Sequence, residues 1–339
     1  MGARQVQPGA ERRGYTAGIV HFGTEPGLES CLESLAAQSV PPKKVVVVHH
    51  GGGPEDLAGL RARHPDVDWL FGENRGYAGG ANRILARAEE VAPAADFTLV
   101  LNPDVALDRG YAETVLREMA ARPDVALASG KLLRPCRERI DSAGIEMRRS
   151  RRFVDRGSEE PDDGRYDRIE RVFAVSGAAM MLRRSLLRRL SVDDEVFDED
   201  FFVYHEDTDL AWRARRMGYA SLYVPGAHAV HVRGWRRGRR HRVPAPIRRH
   251  SFKNRYLELI KNDRPLALLR DLPFILPVEV ARLGFALVAD PAMLGAYVDA
   301  ARHAGGAWRK RRRMRPRENA ARRGAEPGVS VVDEGELIA

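Results

Sequence analysis

The four valines of "KKVVVVHH" (43–50) constrain this chain more than any other stretch. A half-exposed strand alternates apolar and polar residues. An unbroken β-branched run instead marks a strand buried on both faces, as in a parallel sheet covered by helices. Similar segments recur as "YTAGIVHF" (15–22), "VDWLF" (67–71), "FTLVL" (97–101) and "VALASG" (125–130). Helical periodicity separates them: "GLESCLESLAAQ" (27–38) puts Leu28, Cys31, Leu32 and Leu35 on one face, and further helices are expected near 79–91 and 109–121. Strand and helix in turn predict an α/β fold with a parallel sheet covered on both sides.

Beyond residue 130 the pattern loosens. Residues 134–170 are polar and arginine-rich, and read as a long excursion over the surface. "VFAVSGAAMML" (172–182) returns to the core, and "HEDTDLAWRARRMG" (205–218) reads as a helix ended by Gly218, with a short strand "SLYVP" after it. Residues 246–300 suit two or three helices. The division expected is a disordered 1–13, a main domain over 14–240, a helical region over 241–303 and a basic flexible tail over 304–339.

The stretch 268–289 is apolar but holds Arg270, Asp271, Glu279, Arg282 and two prolines. Charge at that density is costly in hydrocarbon, so a helix lying on a membrane or docked on the main domain is expected in place of a span. Two cysteines, Cys31 and Cys136, make no disulfide framework, and the N-terminus lacks a secretory apolar core, which together point to a reducing cytoplasm. The net charge of +9 is concentrated: residues 231–250 hold eight arginines and no acid, and "RKRRRMRPR" (309–317) is almost wholly basic. Such runs suit phosphates or an anionic membrane, or form a solvated tail. No nucleic-acid-binding motif accompanies them.

Several segments could carry chemistry. "LNPDVALD" (101–108) ends a buried strand on Asn102-Pro103-Asp104, either a plain turn or a carboxylate at the ligand edge of a sheet. The turn after the first strand, "HFGTEPG", lacks the dinucleotide fingerprint. Glycines come later, in "ENRGYAGGAN" (73–82), where backbone N–H groups could approach a phosphate or simply form a loop and helix cap. Glu206, Asp207 and Asp209 share one helical turn, where acids offset the macrodipole, but the aromatics of "FDEDFFVYH" before them would also desolvate carboxylates, as a general base requires. His228 and His231 follow a strand and are structural unless one completes a site with a carboxylate.

In their order and spacing, "ENRGYAGGAN", "LNPDV", "SGAAMMLRR", "FDEDFFVYHEDTDLAWRARRMGY" and "VPGAHAVHV" resemble the inverting glycosyltransferases of family 2, especially the rhamnosyltransferase-like members, over roughly residues 15–232. The resemblance implies a GT-A fold with a C-terminal helical extension, and a nucleotide-sugar donor, with dTDP-rhamnose as the subfamily's choice. It also implies a divalent cation, Mg²⁺ or Mn²⁺, and inversion at the anomeric carbon. By position, Asp207 resembles the family's base with Glu206 as its neighbour, and Asp104 and His231 resemble metal ligands. His49, Asn74, Gly76, Gly79, Gly80, Asn82, Asn102 and Asp104 fall on the donor side, and Gly177 and Asp209 on the acceptor side. The acceptor implied is a surface polysaccharide or lipid-linked glycan, met by an enzyme peripheral on the inner face of the plasma membrane, with an anionic lipid surface as partner and no nucleic acid. Two departures stand out: His49-His50 where the family carries a base-reading aspartate, and Ile84 where a glycine is common. A sugar-nucleotide nucleotidyltransferase, or a non-catalytic nucleic-acid or membrane module, are the alternatives.

Overall fold

The computed structural model describes residues 14–24, 26–233 and 243–324, with side chains through 319. The expected disorder of 1–13 lies outside the described residues, as do 234–242 of the arginine-rich stretch and 325–339 of the tail.

The first half follows the expected alternation: β1 (Tyr15–Phe22), α1 (Leu28–Ala36), β2 (Val45–His50), α2 (Ala58–Arg63), β3 (Asp68–Gly72), α3 (Gly76–Val91), β4 (Phe97–Leu101), β5 (Val105–Leu107), α4 (Tyr111–Ala120) and β6 (Val125–Leu133). Short strands β7 (Ile140–Ser142), β8 (Ile145–Met147), β9 (Phe153–Asp155) and β10 (Glu170–Val172) follow, then β11 (Ala179–Arg183), α5 (Arg184–Leu190), α6 (Glu206–Arg216) and β12 (Ala220–His231). The chain closes with α7 (Ala245–Asn262), α8 (Pro265–Val288) and α9 (Leu294–Gly324).

The main sheet runs β10-β12-β6-β11-β4-β1-β2-β3, with β5 paired to β12 and β7 to β6. Strands β3, β2, β1 and β4 are mutually parallel, as the valine runs predict. The second half is mixed, a correction to the all-parallel expectation: β11 is antiparallel to both β4 and β6. β6 ends at the carboxyl edge of the sheet, and the excursion that follows re-enters from that same edge. The returning strand must therefore run the other way.

Apolar clusters fill both faces, α1 and α4 packing on one side and α3, α5 and α6 on the other. Ile84 is buried against Gly18, where an added Cβ would stand 2.0 Å from Ile84 Cγ2. A bulky helix residue is thus matched by a missing side chain on the strand, which accounts for Ile84.

Three further expectations need correction. Residues 134–170 contribute β7 to β9 and bury Asp141 completely, so they are no mere surface excursion. The strand at "SLYVP" extends to His231, because β12 pairs on through a bulge near Val224 with β6 and then with β5. Residues 304–324, expected as a flexible tail, belong to α9. Its basic residues meet acids and carbonyls of the sheet domain: Lys310 Nζ donates to Asp198 (2.5 Å) and Asp200 (2.9 Å), Arg313 pairs with Asp193, and Arg317 donates to the Ser191 carbonyl. Paired in this way, the run has the partners that a disordered tail would lack.

Candidate active site

The site is built at the carboxyl edge of the sheet. β4 ends at Leu101, and Asn102-Pro103 turn the chain into β5, whose antiparallel pairing sets Val105 opposite His231. Val232 N donates to the Asp104 carbonyl (3.0 Å), which fixes the register at that corner. The result places His231 Nε2 3.3 Å from Asp104 Oδ1.

The other ring nitrogen, His231 Nδ1, lies 2.7 Å from Asp141 Oδ2. β7 and β12 both flank β6, which is why a residue 90 positions away reaches the histidine. Burial lowers the His231 pKa, but hydrogen bonds to Asp104 and Asp141 outweigh it and raise it to about 9. Asp141 also faces Arg134 (3.0 Å) and Arg233 (3.5 Å), and Arg233 bridges to Asp155 at 3.0 Å.

The second corner is the start of α6. Asp207 Oδ2 accepts from Gly177 N (3.0 Å) and Oδ1 from Thr208 N (2.8 Å). Burial raises its proton affinity, and these two N–H donors partly offset the rise. Glu206 is buried, with Oε2 lacking a hydrogen-bond partner, and burial and then Asp207 push its pKa well up. Arg233 connects the corners, since its field includes Asp155, Asp141 and Asp207.

The segment leading into α6 is strained. Phe202, Tyr204 and His205 have φ of 66°, 70° and 72°, left-handed values that cost side-chain-bearing residues about 1–3 kcal/mol each. Helix α7 holds them: Asn254 Nδ2 donates to the carbonyls of Phe201 (2.8 Å), Val203 (2.9 Å) and Tyr204 (2.7 Å). Lys253 donates to the Asp200 carbonyl, and His205 Nδ1 lies 2.7 Å from Glu258 Oε2. The aromatic approach expected to desolvate the carboxylates is thus clamped from behind by the C-terminal helices.

The glycine-rich loop packs against this strained segment. Asn74 Oδ1 caps Gly76 N (2.9 Å), and a Cβ on Gly76 (φ +70°) would fall 2.2 Å from the Phe202 carbonyl oxygen. A Cβ on Gly79 would meet Arg75 Cβ at 2.4 Å and Glu199 Oε2 at 3.3 Å, and one on Gly80 would meet Val20 Cγ1 at 2.7 Å. Close approach to protein therefore explains these glycines without a ligand.

Two expected ligand contacts have partners within the chain. Asn82 spends both ends of its amide on the chain: Nδ2 donates to the Phe197 carbonyl (2.7 Å) and Glu199 (3.1 Å), and Oδ1 accepts from Phe197 N (2.9 Å). Asp209 is wholly buried and occupied by Arg213 (2.9 Å), Lys261 (2.8 Å) and Asn262 (2.7 Å), which leaves nothing for an acceptor. Gly177 stays at the site, its N–H on Asp207 and its carbonyl accepting from Tyr77 OH (2.8 Å). Asn102 is half-buried behind Asp104, its N–H on the Ala178 carbonyl (3.0 Å). His228 lends its backbone carbonyl to Asp108 N (3.0 Å).

His49 is buried at the end of β2, stacked on His21 with ring centroids 4.9 Å apart and Nδ1 atoms 2.8 Å apart. His49 Nε2 and His50 Nε2 are buried without hydrogen-bond partners, and burial lowers both pKa values, that of His50 to about 4. Both rings are therefore neutral near pH 7.

The donor set at the first corner fits a divalent cation. Two ligands roughly 2.1 Å from one octahedral ion stand about 3 Å apart, close to the His231–Asp104 separation. A carboxylate on the far nitrogen of a ligating histidine is a common supporting contact, and Asp141 supplies it. No group of three or more His, Cys, Asp or Glu side chains that could hold a metal forms among the described residues, so an ion here would depend on substrate oxygens and water.

A family model described as "Glycosyltransferase like family 2" matches residues 13–250. The chain belongs to glycosyltransferase family 2. Among curated relatives, this family 2 protein is 31% identical over 200 residues to the N-acetylglucosaminyl-diphospho-decaprenol L-rhamnosyltransferases of two Mycobacterium tuberculosis strains, CDC 1551 and H37Rv. The match covers 52% of this chain and 62% of each relative, so less than two thirds of their length is represented. Among solved structures it resembles GalNAc-T7 with UDP, GalNAc and Mn²⁺ (TM-score 0.54, 11% identity, 73% of this chain and 48% of that one). It also resembles the mannosyltransferase PcManGT of Pyrobaculum calidifontis with GDP-Man and Mn²⁺ (TM-score 0.51, 20% identity, 92% and 87%). These likenesses carry the fold, which is GT-A with a C-terminal helical region.

Asp141, Asp155, Asn254 and Glu258 stand in none of the sequence motifs, and Arg233 is one of the eight arginines of 231–250. Each reaches the site through pairing or packing between distant segments, which local periodicity does not report.

Proposed function

We propose that this protein is an inverting glycosyltransferase that moves a sugar, rhamnose by the likeness to the mycobacterial enzymes, from a nucleoside diphosphate to a lipid-linked glycan. The observation that carries the reading is Asp207. It is a half-buried carboxylate with a raised proton affinity, held by two backbone N–H groups and within the field of Arg233, which pairs with Asp141 behind His231.

Asp207 takes the proton of the acceptor hydroxyl as that oxygen attacks the anomeric carbon. The carbon–oxygen bond to the diphosphate breaks on the opposite face, and the nucleoside diphosphate leaves with the electron pair. Asp104 and His231 would hold Mg²⁺ or Mn²⁺, with Asp141 fixing the ring of His231. When bound, the cation offsets charge developing on the leaving diphosphate. Neutral His49 and His50, buried at the end of β2 with Nε2 atoms that lack a hydrogen-bond partner, are the candidates for hydrogen bonding to a nucleobase. Gly177 aligns the base, and Glu206 stands beside the acceptor hydroxyl.

The test is a panel of nucleotide sugars, dTDP-rhamnose included, offered with an N-acetylglucosaminyl-diphospho-polyprenol and Mn²⁺ or Mg²⁺. We expect transfer with inversion at the anomeric carbon, and donor binding weakened by a chelator, by Asp104→Ala and by His231→Ala. Retention of configuration would overturn the Asp207 mechanism, and donor binding indifferent to the chelator would overturn the cation site.

A further inference from the structure

Helix α8 turns Asp271, Glu279 and Arg282 inward and most of its leucines outward. Asp271 is fully buried and accepts from Arg149 Nη2 (2.8 Å) and Arg151 Nη1 (2.8 Å). Glu279 accepts from Arg255 Nε (2.8 Å) and Tyr256 OH (2.6 Å), and the Arg282 guanidinium lies 3.9 Å over the Phe252 ring. Facing away, Leu266, Leu269, Leu276, Val280, Leu283 and Leu287 are 45–82% exposed. Their spacing by threes, fours and sevens puts them on one face of the 24-residue helix, a stripe about 32 Å long.

A helix on a water-facing surface has the opposite arrangement, and an exposed apolar stripe of this extent marks an interaction surface. Three observations select its occupant. The rim is net cationic: Arg149, Arg151 and Arg270 are three guanidinium groups around the carboxylates of Asp271 and Asp263, Arg149 and Arg270 side chains are 40% and 56% exposed, and the Arg149 guanidinium sits 4.0 Å over the ring of half-exposed Phe274. Anionic headgroups complement this charge. Pro273 and Pro277 inside the helix leave carbonyls without their usual donors, which the wet headgroup layer satisfies and hydrocarbon does not. Finally, no helix among the described residues is long and apolar enough to cross a membrane, and the inward ion pairs hold α8 flat on the protein.

We infer that α8 docks the protein on an anionic bilayer, lying in its plane with the leucine face in the headgroup–acyl boundary and Arg149 and Arg270 at the headgroups. This deepens the lipid-linked acceptor of the proposed function by naming the surface that presents it. The test uses vesicles without donor or acceptor, so its failure leaves the transfer reading standing.

The full chain is floated with phosphatidylcholine vesicles and with vesicles carrying one quarter phosphatidylglycerol, at low and high salt. Binding to the anionic vesicles at low salt is expected, weakened by salt as headgroup contacts are screened. Leu276→Asp with Val280→Asp should reduce it by about tenfold or more, since the lost apolar insertion is the larger part. Both positions face outward, so an unchanged melting temperature would verify folding. Absence of binding, or binding equal in the double variant, overturns the proposal. So does a dimer that dissociates in the double variant without any vesicle binding, which would assign the face to a second copy.

Discussion

Two clusters of buried carboxylates, one at the reaction edge and one where the C-terminal helices meet the sheet domain, use the same residue types to opposite ends. At the junction Asp198 and Asp209 are both answered by cations. Asp209 is bound by Arg213, Lys261 and Asn262, and Asp198 by Lys261 and Lys310. Burial alone would raise the Asp198 pKa, but the two lysines outweigh it and hold the carboxyl well below the usual range. At the reaction edge the balance runs the other way. Glu206 Oε2 is buried without a hydrogen-bond partner, and burial raises the proton affinity of Glu206 and Asp207 alike. A saturated cluster fixes architecture, while an under-satisfied one is poised for proton transfer or for a ligand.

The contrast is sharpest between Asp207 and Asp209, and the largest expected effect tests it directly. Asp207→Asn preserves size and removes the proton acceptor, so turnover should fall by about two to four orders of magnitude while donor binding and melting temperature hold. Steady-state kinetics with calorimetric donor titration would measure it. Near-normal turnover would break the comparison at the reactive end.

Asp209→Ala should do the reverse. It leaves Lys261 and Arg213 buried without one of their counter-charges, a loss of the kind that costs about 3–5 kcal/mol. Urea unfolding should report that loss, while turnover per folded molecule stays close to normal. A variant that kept full stability but lost activity would move Asp209 back to the acceptor side and dissolve the distinction.

These two aspartates also mark the limit of what the sequence conveys. They are two positions apart in "HEDTD", indistinguishable in composition, yet about 160° apart around the helix axis. One faces the sheet edge and the other the C-terminal helices. The parallel core was legible because β-branched runs such as "VVVV" report burial on both faces, a local property. Asp104, Asp207 and His231 could be singled out because they sit in motifs with fixed neighbours. Asp141 could not, since its position depends on β7 folding back on β6. The pairing of the basic run is hidden from composition for a related reason. Composition does not distinguish a solvated tail from a helix whose lysine meets Asp198, which lies 112 residues earlier.

The smallest effect separates the two clusters by pH. The groups acting on Asp207 are Glu206, His205 and Asp155, with Arg233 opposite. Burial is the largest influence and raises its pKa, and Asp155 adds to the rise, while the N–H groups of Gly177 and Thr208 and then His205 oppose it. A general base works as the carboxylate, so rate is lost as pH falls through that raised value. The acid limb of kcat/KM should therefore lie above the ordinary aspartate range. Asp155→Asn removes one negative neighbour and releases Arg233 from its 3.0 Å partner, and both changes favour the Asp207 carboxylate. The limb should shift to lower pH. At the saturated junction, Asp198 is already held ionised, and the Asp155 change should leave unfolding below neutral pH as it was. A limb that stayed in place in Asp155→Asn would mean that a group other than Asp207 sets it, and the reaction edge would have to be assigned to a different base.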